Sequence, residues 1–175
     1  MTRLLKGALL LIMSVVLLSA CSANVEDAYK ATDEKISDAF NSTPKKVNNK
    51  NKDVHFYAPF GFEIKEKKQN NVLLKNGSKT YILFYNQHEG TDSEVVYNAT
   101  LSDKKFDYKK TYQKGDKFGY CLIRDLGEDM QELTVGIGGV KLTTETKTKS
   151  MKNDAEYMMQ IVNSVKMEKD KPAES

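Results

Sequence analysis

A largely apolar stretch at residues 80–85, Thr-Tyr-Ile-Leu-Phe-Tyr, constrains the fold of this chain more than any other feature. Asn76-Gly77, a dipeptide typical of tight hairpin turns, comes shortly before it. A strand whose apolar residues run on without alternation is typical of the interior of a sheet that is covered on both faces. The stretch therefore predicts a central strand, buried on both sides.

Six further segments carry strand patterns and are separated by turn-forming residues. They cover residues 54–58, 62–65, 72–74, 108–113, 118–125 and 132–144. Lys114-Gly115-Asp116 stands between the fourth and fifth of these segments, so we expect those two to form a hairpin. Because a short turn joins antiparallel strands, the sheet is predicted to be largely antiparallel.

Two helices are expected within this strand-rich region. Residues 94–101 follow the capping residue Ser93, although Val95 and Val96 also favour strands. Near the C-terminus, residues 153–156 (Asn-Asp-Ala-Glu) resemble a capping box, and apolar residues line one helical face after it. The element order predicts an α+β fold, with a single antiparallel-rich sheet covered by helices.

The first 20 residues have the pattern of a targeting segment. Arg3 and Lys6 precede an apolar run over residues 8–18 that only Ser14 interrupts. Because a spanning helix needs about 20 apolar residues, we interpret this shorter run as the apolar region of a cleaved signal peptide. Its removal leaves 25 Lys and Arg against 24 Asp and Glu. That balance does not favour nucleic-acid binding through phosphate neutralisation.

The tetrapeptide Leu18-Ser19-Ala20-Cys21 follows the apolar run. With the segment before it, this tetrapeptide resembles the lipobox of bacterial lipoproteins. The resemblance implies a diacylglycerol on the Cys21 thiol, cleavage just before Cys21, and anchoring at the extracytoplasmic face of the cell membrane. Lys makes up 25 of the 27 cations, a bias that AT-rich codons would produce, so we expect a small lipoprotein of a low-GC Gram-positive bacterium; a lysine-rich surface selected for solubility is the alternative.

Three regions are expected after the signal peptide at residues 1–20. Residues 21–52 hold the lipidated N-terminus, an amphipathic helix over residues 24–40 and a Lys/Asn-rich linker. Residues 53–166 form the globular α+β domain, and residues 167–175 form a polar tail. The thin apolar face of the helix leaves two alternatives. We favour loose docking on the domain, or a partly ordered arm, over a position near the bilayer or against a partner.

The linker has two interpretations as well. Its lysines could hold the chain near an anionic lipid surface, but a solvated spacer is the simpler interpretation.

The ends of the predicted domain resemble those of Mog1/PsbP-type sandwich domains. The resemblance rests on residues 56–62 (Phe-Tyr-Ala-Pro-Phe-Gly-Phe), on residues 161–165 (Ile-Val-Asn-Ser-Val) and on the element order between them. Domains of this type are mostly non-catalytic accessory or binding proteins. The resemblance therefore implies a binding role, and it transfers no site residue to this chain.

Few residues have the pattern of a catalytic or metal site. Cys121 lies in an apolar strand pattern and is interpreted as a small buried hydrophobe. As a nucleophile it would need an activating base, and His55 and His88 are distant in sequence. His88, Glu89 and Asp92 could offer metal ligands, but a closed zinc site needs about four. We expect no catalytic residue, metal site or cofactor.

Two further patterns have structural interpretations. Residues 136–141 are rich in glycine but lack the Gly-Lys-Ser/Thr ending of a phosphate loop, so the glycines are expected to mark a bulge or a close approach within the 132–144 strand. Seven tyrosines in this region are expected to pack, with a ligand-binding face as the alternative. They are Tyr57, Tyr81, Tyr85, Tyr97, Tyr108, Tyr112 and Tyr120.

These features predict a membrane-anchored extracytoplasmic lipoprotein with a non-catalytic binding or accessory role at the cell envelope. Its expected partners are the bilayer, through the acylated Cys21, and an envelope component or another protein. Nucleic acid is not expected. The alternative is an envelope enzyme acting on a cell-wall or small-molecule substrate. That alternative would require His55, His88 or acidic residues to converge in a pocket.

Overall fold

Ten strands and three helices make up the part of the chain that the computed structural model describes, residues 25–50 and 53–168. Cys21 lies outside the described residues. The strands are β1 (Asn49–Lys50), β2 (Val54–Phe56), β3 (Phe62–Lys68), β4 (Asn71–Asn76), β5 (Lys79–Tyr85), β6 (Tyr108–Lys114), β7 (Lys117–Gly127), β8 (Met130–Ile137), β9 (Val140–Lys147) and β10 (Lys166–Met167). The helices are α1 (25–41), α2 (Val95–Asp103) and α3 (Met151–Asn163), and a 3-10 turn (Thr148–Ser150) precedes α3.

Seven of the strands form one large sheet in the order β3-β4-β5-β9-β8-β7-β6, and every pair of neighbours is antiparallel. α1 and α3 cover one face of it, which we call the core face, and α2 covers part of the other, which we call the α2 face. The predicted α+β class, with an antiparallel-rich sheet covered by helices, is confirmed.

A second, three-stranded sheet stands beside the large one. β2 lies between β1 and β10, and both neighbours run antiparallel to it. The sequence predicts only a single sheet, and it does not predict the partners of β2. β2 ends shortly before Pro59, which has no N–H to donate to a longer ladder.

The helix α1 belongs to the main core of the molecule. Ile36, Ala39 and Phe40 are buried in the same apolar cluster as the core face of the sheet and α3. The ring of Phe40 lies 5.7 Å from that of Tyr112 on β6. Burial of each large apolar side chain contributes about 1.5–3 kcal/mol, so Ile36 and Phe40 together hold α1 on the sheet. The folded unit therefore includes residues that the predicted division places before the globular part.

Polar contacts fix the direction of α1 along the sheet. In its second turn, the Tyr29 hydroxyl donates to the Gln131 side chain over 3.1 Å, and the Tyr29 ring lies 5.4 Å from Tyr108 at the start of β6. At its end, Lys114 at the end of β6 donates to the Asn41 carbonyl over 2.6 Å. α1 therefore runs beside β6 in the same direction as that strand.

The helix α2 packs on the other face of β7 through a smaller apolar cluster. Phe118, Tyr120 and Leu122 alternate along β7 and point to this side, where Tyr97 and Leu101 of α2 meet them. The Tyr97 ring lies 5.2 Å from that of Tyr120. The helical interpretation of residues 94–101 is thus correct, but the N-cap is Glu94 and not the predicted Ser93, whose hydroxyl accepts a hydrogen bond from the Val95 N–H over 3.2 Å.

The single strand predicted over residues 132–144 is wrong. The chain turns at Gly138 and Gly139, so that β8 and β9 form a hairpin in which Ile137 faces Val140. Gly138 has φ of +53°, a conformation that glycine adopts without strain. A Cβ at Gly138 would also lie 2.1 Å from the Gly90 carbonyl oxygen. The glycines therefore mark a tight turn under a neighbouring loop.

The capping box predicted at residues 153–156 is also wrong, although the helix is present. α3 begins at Met151, so these residues lie within the helix. Asp154 is buried and accepts hydrogen bonds from Lys79, from Thr146 and from the Tyr81 hydroxyl, the last over 3.0 Å. Partners in the sheet thus determine the position of this aspartate.

Candidate functional site

The α2 face is only partly covered, and the uncovered part lies over β5 and β9. Ile82 in the middle of β5 points to this side and is 49 % exposed, whereas Tyr81 and Leu83 are fully buried in the core face. The prediction that residues 80–85 are buried on both sides is therefore wrong for this face. α2 spans nine residues and packs over β7, and it approaches β5 only near Phe84, so the part of β5 around Ile82 stays uncovered.

A groove of about 660 Å³ lies on this uncovered surface. Its volume falls within the range of about 300–1,000 Å³ typical of small-molecule sites. Its lining is mostly hydroxyl-bearing and charged, with Ile82 and Met130 as apolar members. The lining residues are Ser78, Lys79, Thr80, Ile82, Lys104, Met130, Glu132, Thr143, Thr144, Glu145, Thr146, Lys147 and Ser150.

An ion cluster around Glu132 forms one wall of the groove. The Glu132 carboxylate is almost fully buried and accepts hydrogen bonds from Lys104 at 3.0 and 3.1 Å and from Arg124 at 2.8 Å. Burial by itself would raise the pKa of Glu132, but these two cations outweigh it, so the pKa lies below its ordinary value. The carboxylate is therefore ionised, rigidly placed and already paired.

Two other charges on the groove are exposed. Glu145 stands opposite Glu132 across the β8–β9 pair, and Lys147 stands opposite Met130. In the row of Ile82, Thr143 of β9 pairs with Ile82 on one side and with Thr134 of β8 on the other, and the two threonine hydroxyls hydrogen-bond each other over 2.9 Å. Lys79 and Lys104, which also line the groove, form ion pairs with Asp154 and Glu132. Outside these pairs the groove presents one acidic and one basic side chain beside Ile82, Met130 and several hydroxyls, a surface that suits a polar ligand carrying both charges.

A smaller cavity of about 350 Å³ lies further along the same two strands, under α2. Lys141 is its central cation: its Nζ lies 5.7 Å from the Phe84 ring centroid and donates to the Thr100 hydroxyl over 3.0 Å. Burial, and then the neighbouring charge of Lys104, lowers the pKa of Lys141. Val95 and Ala99 form the apolar side of the cavity.

The residues that the sequence singles out for chemistry do not meet. Cys121 is fully buried in the main core, and burial raises its pKa well above the ordinary value, so the thiol form is favoured. His55 lies on β2 with its Nε2 3.6 Å from Glu168. His88 lies in the loop before α2. Cys121, His55 and His88 thus occupy three separate elements, and none of them lines the groove.

In the loop with His88, Glu89 and Asp92, the hydrogen bonds of His88 and Glu89 go to other residues of the same loop. The Glu89 carboxylate accepts a hydrogen bond from Ser93, and the His88 N–H donates to the Asn86 side chain over 3.1 Å. In residues 25–50 and 53–168, no three His, Cys, Asp or Glu side chains come together as metal ligands.

The tyrosines divide between the two faces of the sheet and do not form a single surface. Tyr81, Tyr85 and Tyr120 are buried, and Tyr57, Tyr97, Tyr108 and Tyr112 are half-buried. None of the seven lines the groove. Their arrangement agrees with the packing interpretation.

Sequence reasoning missed the groove residues, although one signal was available. Arg124 is the only arginine after residue 3 in a chain whose other cations are lysines. Arginine is preferred where a planar group must bind a carboxylate in fixed geometry, and Arg124 does bind Glu132. A lone arginine within a strand could therefore have drawn attention to this wall of the groove.

No protein-family model and no curated protein matches this chain. Within the described residues, no helix is both long enough and apolar enough to cross a membrane.

Proposed function

We propose that this protein is an extracytoplasmic lipoprotein, anchored through the acylated Cys21, whose α+β domain binds a component of the cell envelope through the groove on the α2 face. The observation that carries the anchoring is the sequence Leu18-Ser19-Ala20-Cys21 directly behind a charged start and a short apolar run. Two or more acyl chains on one residue hold a protein firmly in a bilayer, because each buried methylene contributes about 0.8 kcal/mol.

A binding role is favoured over catalysis by the chemistry of the groove. Its buried carboxylate, Glu132, is ionised and neutralised by Lys104 and Arg124. It has no proton to give as a general acid near neutral pH, and its lowered pKa makes it a weak general base. The remaining lining offers hydroxyls, the apolar Ile82 and two exposed charges. These groups can orient and hold a ligand.

Anchoring is tested by comparing the wild-type chain with Cys21→Ala in membrane and soluble fractions. The wild-type protein should be found in the membrane, and its N-terminal peptide should begin at Cys21 and carry the mass of a diacylglycerol. Cys21→Ala should be unprocessed or released. Cys121→Ala is the matched control, since it removes the other thiol of the chain and should leave anchoring unchanged. Native processing and membrane retention of Cys21→Ala would refute the proposal.

Binding at the groove is tested with a photo-crosslinking amino acid placed at Ile82 in membranes of the native host. Lys109 is the control position, since it is exposed on β6, away from the groove. A discrete adduct is expected at position 82 and not at 109, and it should weaken when Glu145→Lys reverses one of the exposed charges. Equal adducts at both positions, or none, would contradict binding through the groove.

A further inference from the structure

We propose that one end of the sheet faces the phospholipid bilayer directly, so that the groove opens toward the lipid headgroups. This inference rests on the proposed anchoring at Cys21. It concerns the orientation of the domain, which neither the lipobox pattern nor the fold specifies separately.

The chain between the proposed anchor and the folded unit is short. α1 is helical from residue 25 and docks on the core face, as shown by the buried Thr32, Ile36 and Phe40. Only residues 22–24 separate Cys21 from this helix. Four residue steps span at most about 14 Å even when fully extended. The start of α1 must therefore lie within that distance of the acylated residue.

The direction of α1 places the end of this helix far from the proposed anchor. Its start lies near Tyr108 and Gln131, and its end lies near Lys114. A helix of 17 residues is about 25 Å long, so the β6–β7 turn at Gly115 and Asp116 is far from the anchor. The linker lysines Lys45 and Lys46 follow the end of α1 and are distant from the anchor too. The interpretation in which they hold the chain to lipid is thus disfavoured.

The groove lies at the same end of the sheet as the start of α1. Gln131 is the second residue of β8, and its neighbour Met130 pairs with Lys147 at the end of β9. Met130, Lys147 and Ser150 all line the groove. The end of the sheet that holds the start of α1 is therefore also the end at which the groove opens, and we call it the anchor end.

An exposed aromatic residue extends the anchor end. Phe60 is completely exposed, with its side chain against no other part of the described chain. It lies two residues before Phe62, which pairs with Asn76 beside the β4–β5 turn, and Ser78 of that turn lines the groove. A single exposed apolar side chain is common on a protein surface, but at this end of the sheet an aromatic side chain is well suited to the headgroup boundary of a bilayer.

The chain contains no Trp, so single-Trp variants report the orientation without labelling. Phe60→Trp and Lys149→Trp place the reporter at the anchor end, on exposed positions, and Asp116→Trp places it in the exposed β6–β7 turn. Each acylated full-length variant would be purified from membranes and reconstituted in vesicles that contain phospholipid with a nitroxide on the headgroup. We expect a large loss of fluorescence at positions 60 and 149 and little loss at 116.

A variant with a longer connection serves as the matched control. Twelve Gly/Ser residues inserted after Ala23 would add a flexible reach of about 20 Å without changing the domain. Quenching at positions 60 and 149 should then fall toward that at 116. Equal quenching at the three positions, or stronger quenching at 116, in protein whose Cys21 carries acyl chains by mass spectrometry would overturn the orientation alone. Absence of acyl chains from Cys21 would overturn the proposed anchoring and this inference together.

Discussion

The Tyr112 hydroxyl on β6 donates a hydrogen bond of 2.5 Å to the carboxylate of Asp33 on α1. This contact joins residues 79 positions apart and lies in the middle of the interface between the helix and the sheet. Phe40 on one side and Tyr29 on the other also pack against β6. The contact therefore ties α1, the first described element of the chain, to the sheet.

Replacing Tyr112 by Phe should reduce the free energy of unfolding by about 2 kcal/mol, the usual value of a hydrogen bond to a charged group. The packing of the ring against Phe40 is retained in this variant, so the loss reports the hydroxyl alone. Urea denaturation measures it. Thr111→Ala, at an exposed neighbouring position of β6, is the control and should change stability by less than about 0.5 kcal/mol. An equal effect of both substitutions would show that the Asp33 contact adds nothing.

The same interface predicts a loss of stability in alkali. Burial, and then the charge of Asp33, raises the pKa of Tyr108 to about 12 from its ordinary value of 10. A raised pKa means that the folded state holds its proton longer than the unfolded state does, so stability is full below pH 10 and falls as the pH rises toward 12. Tyrosinate absorbance should show a component near pH 12 whose amplitude falls by one tyrosine in Tyr108→Phe; other tyrosines, such as Tyr29 and Tyr85, also have raised pKa values and should remain in the high-pH range. Titration of every tyrosine near pH 10 in the native protein would contradict this.

The strand pattern of the sequence predicts most strands of the large sheet and its antiparallel character, because alternation and turn residues are local signals. The Asn76-Gly77 turn does join β4 and β5, and Gly115 lies in the β6–β7 turn. Gly138 and Gly139 were misinterpreted because a glycine pair within apolar residues fits a bulge as well as a turn. The difference depends on the Gly90 carbonyl, which lies against Gly138 but is distant in sequence.

The groove could not be predicted because it results from what α2 leaves uncovered. The sequence shows that residues 80–85 are apolar, but the reach of α2 across the sheet depends on its packing against Tyr120 and Leu122. The pairing of Glu132 with Lys104 likewise joins residues from different elements. The sequence predicts the docking of α1 only in part, because its few apolar residues do not show how closely they pack against the sheet.

Glu132→Gln should make the stability of the protein depend less on pH in the acid range. The pKa of Glu132 lies below its ordinary value of 4.5, so its ionised form contributes stability above that pH, and the contribution is lost as the pH falls through the folded-state pKa. Because Lys104 and Arg124 are each more than a third exposed, the loss at neutral pH should be only about 1 kcal/mol. Thermal melts from pH 3 to 7 should therefore converge for the two proteins at low pH.

Glu145→Gln is the matched control for that substitution, since Glu145 faces Glu132 across the β8–β9 pair but is exposed. It should leave the acid limb of the melting curve unchanged. Parallel curves for wild type and Glu132→Gln across the whole pH range would show that the ion cluster does not stabilise the fold.

The close approach of Tyr120 to Gly136 under α2 gives a final prediction. The Tyr120 hydroxyl is fully buried with no hydrogen-bond partner among the described residues, and a Cβ at Gly136 would lie 2.2 Å from its ring. An unpaired buried hydroxyl costs about 1–3 kcal/mol, so Tyr120→Phe should leave the unfolding free energy unchanged or raise it. Gly136→Ala should lower it by about 1–3 kcal/mol through overpacking, and Tyr120→Leu in the same chain should recover part of that loss. Urea denaturation of the wild type, Tyr120→Phe, Gly136→Ala and the double variant measures both effects. A marked destabilisation by Tyr120→Phe would show that the hydroxyl has a partner, since loss of an unpaired group removes no favourable contact.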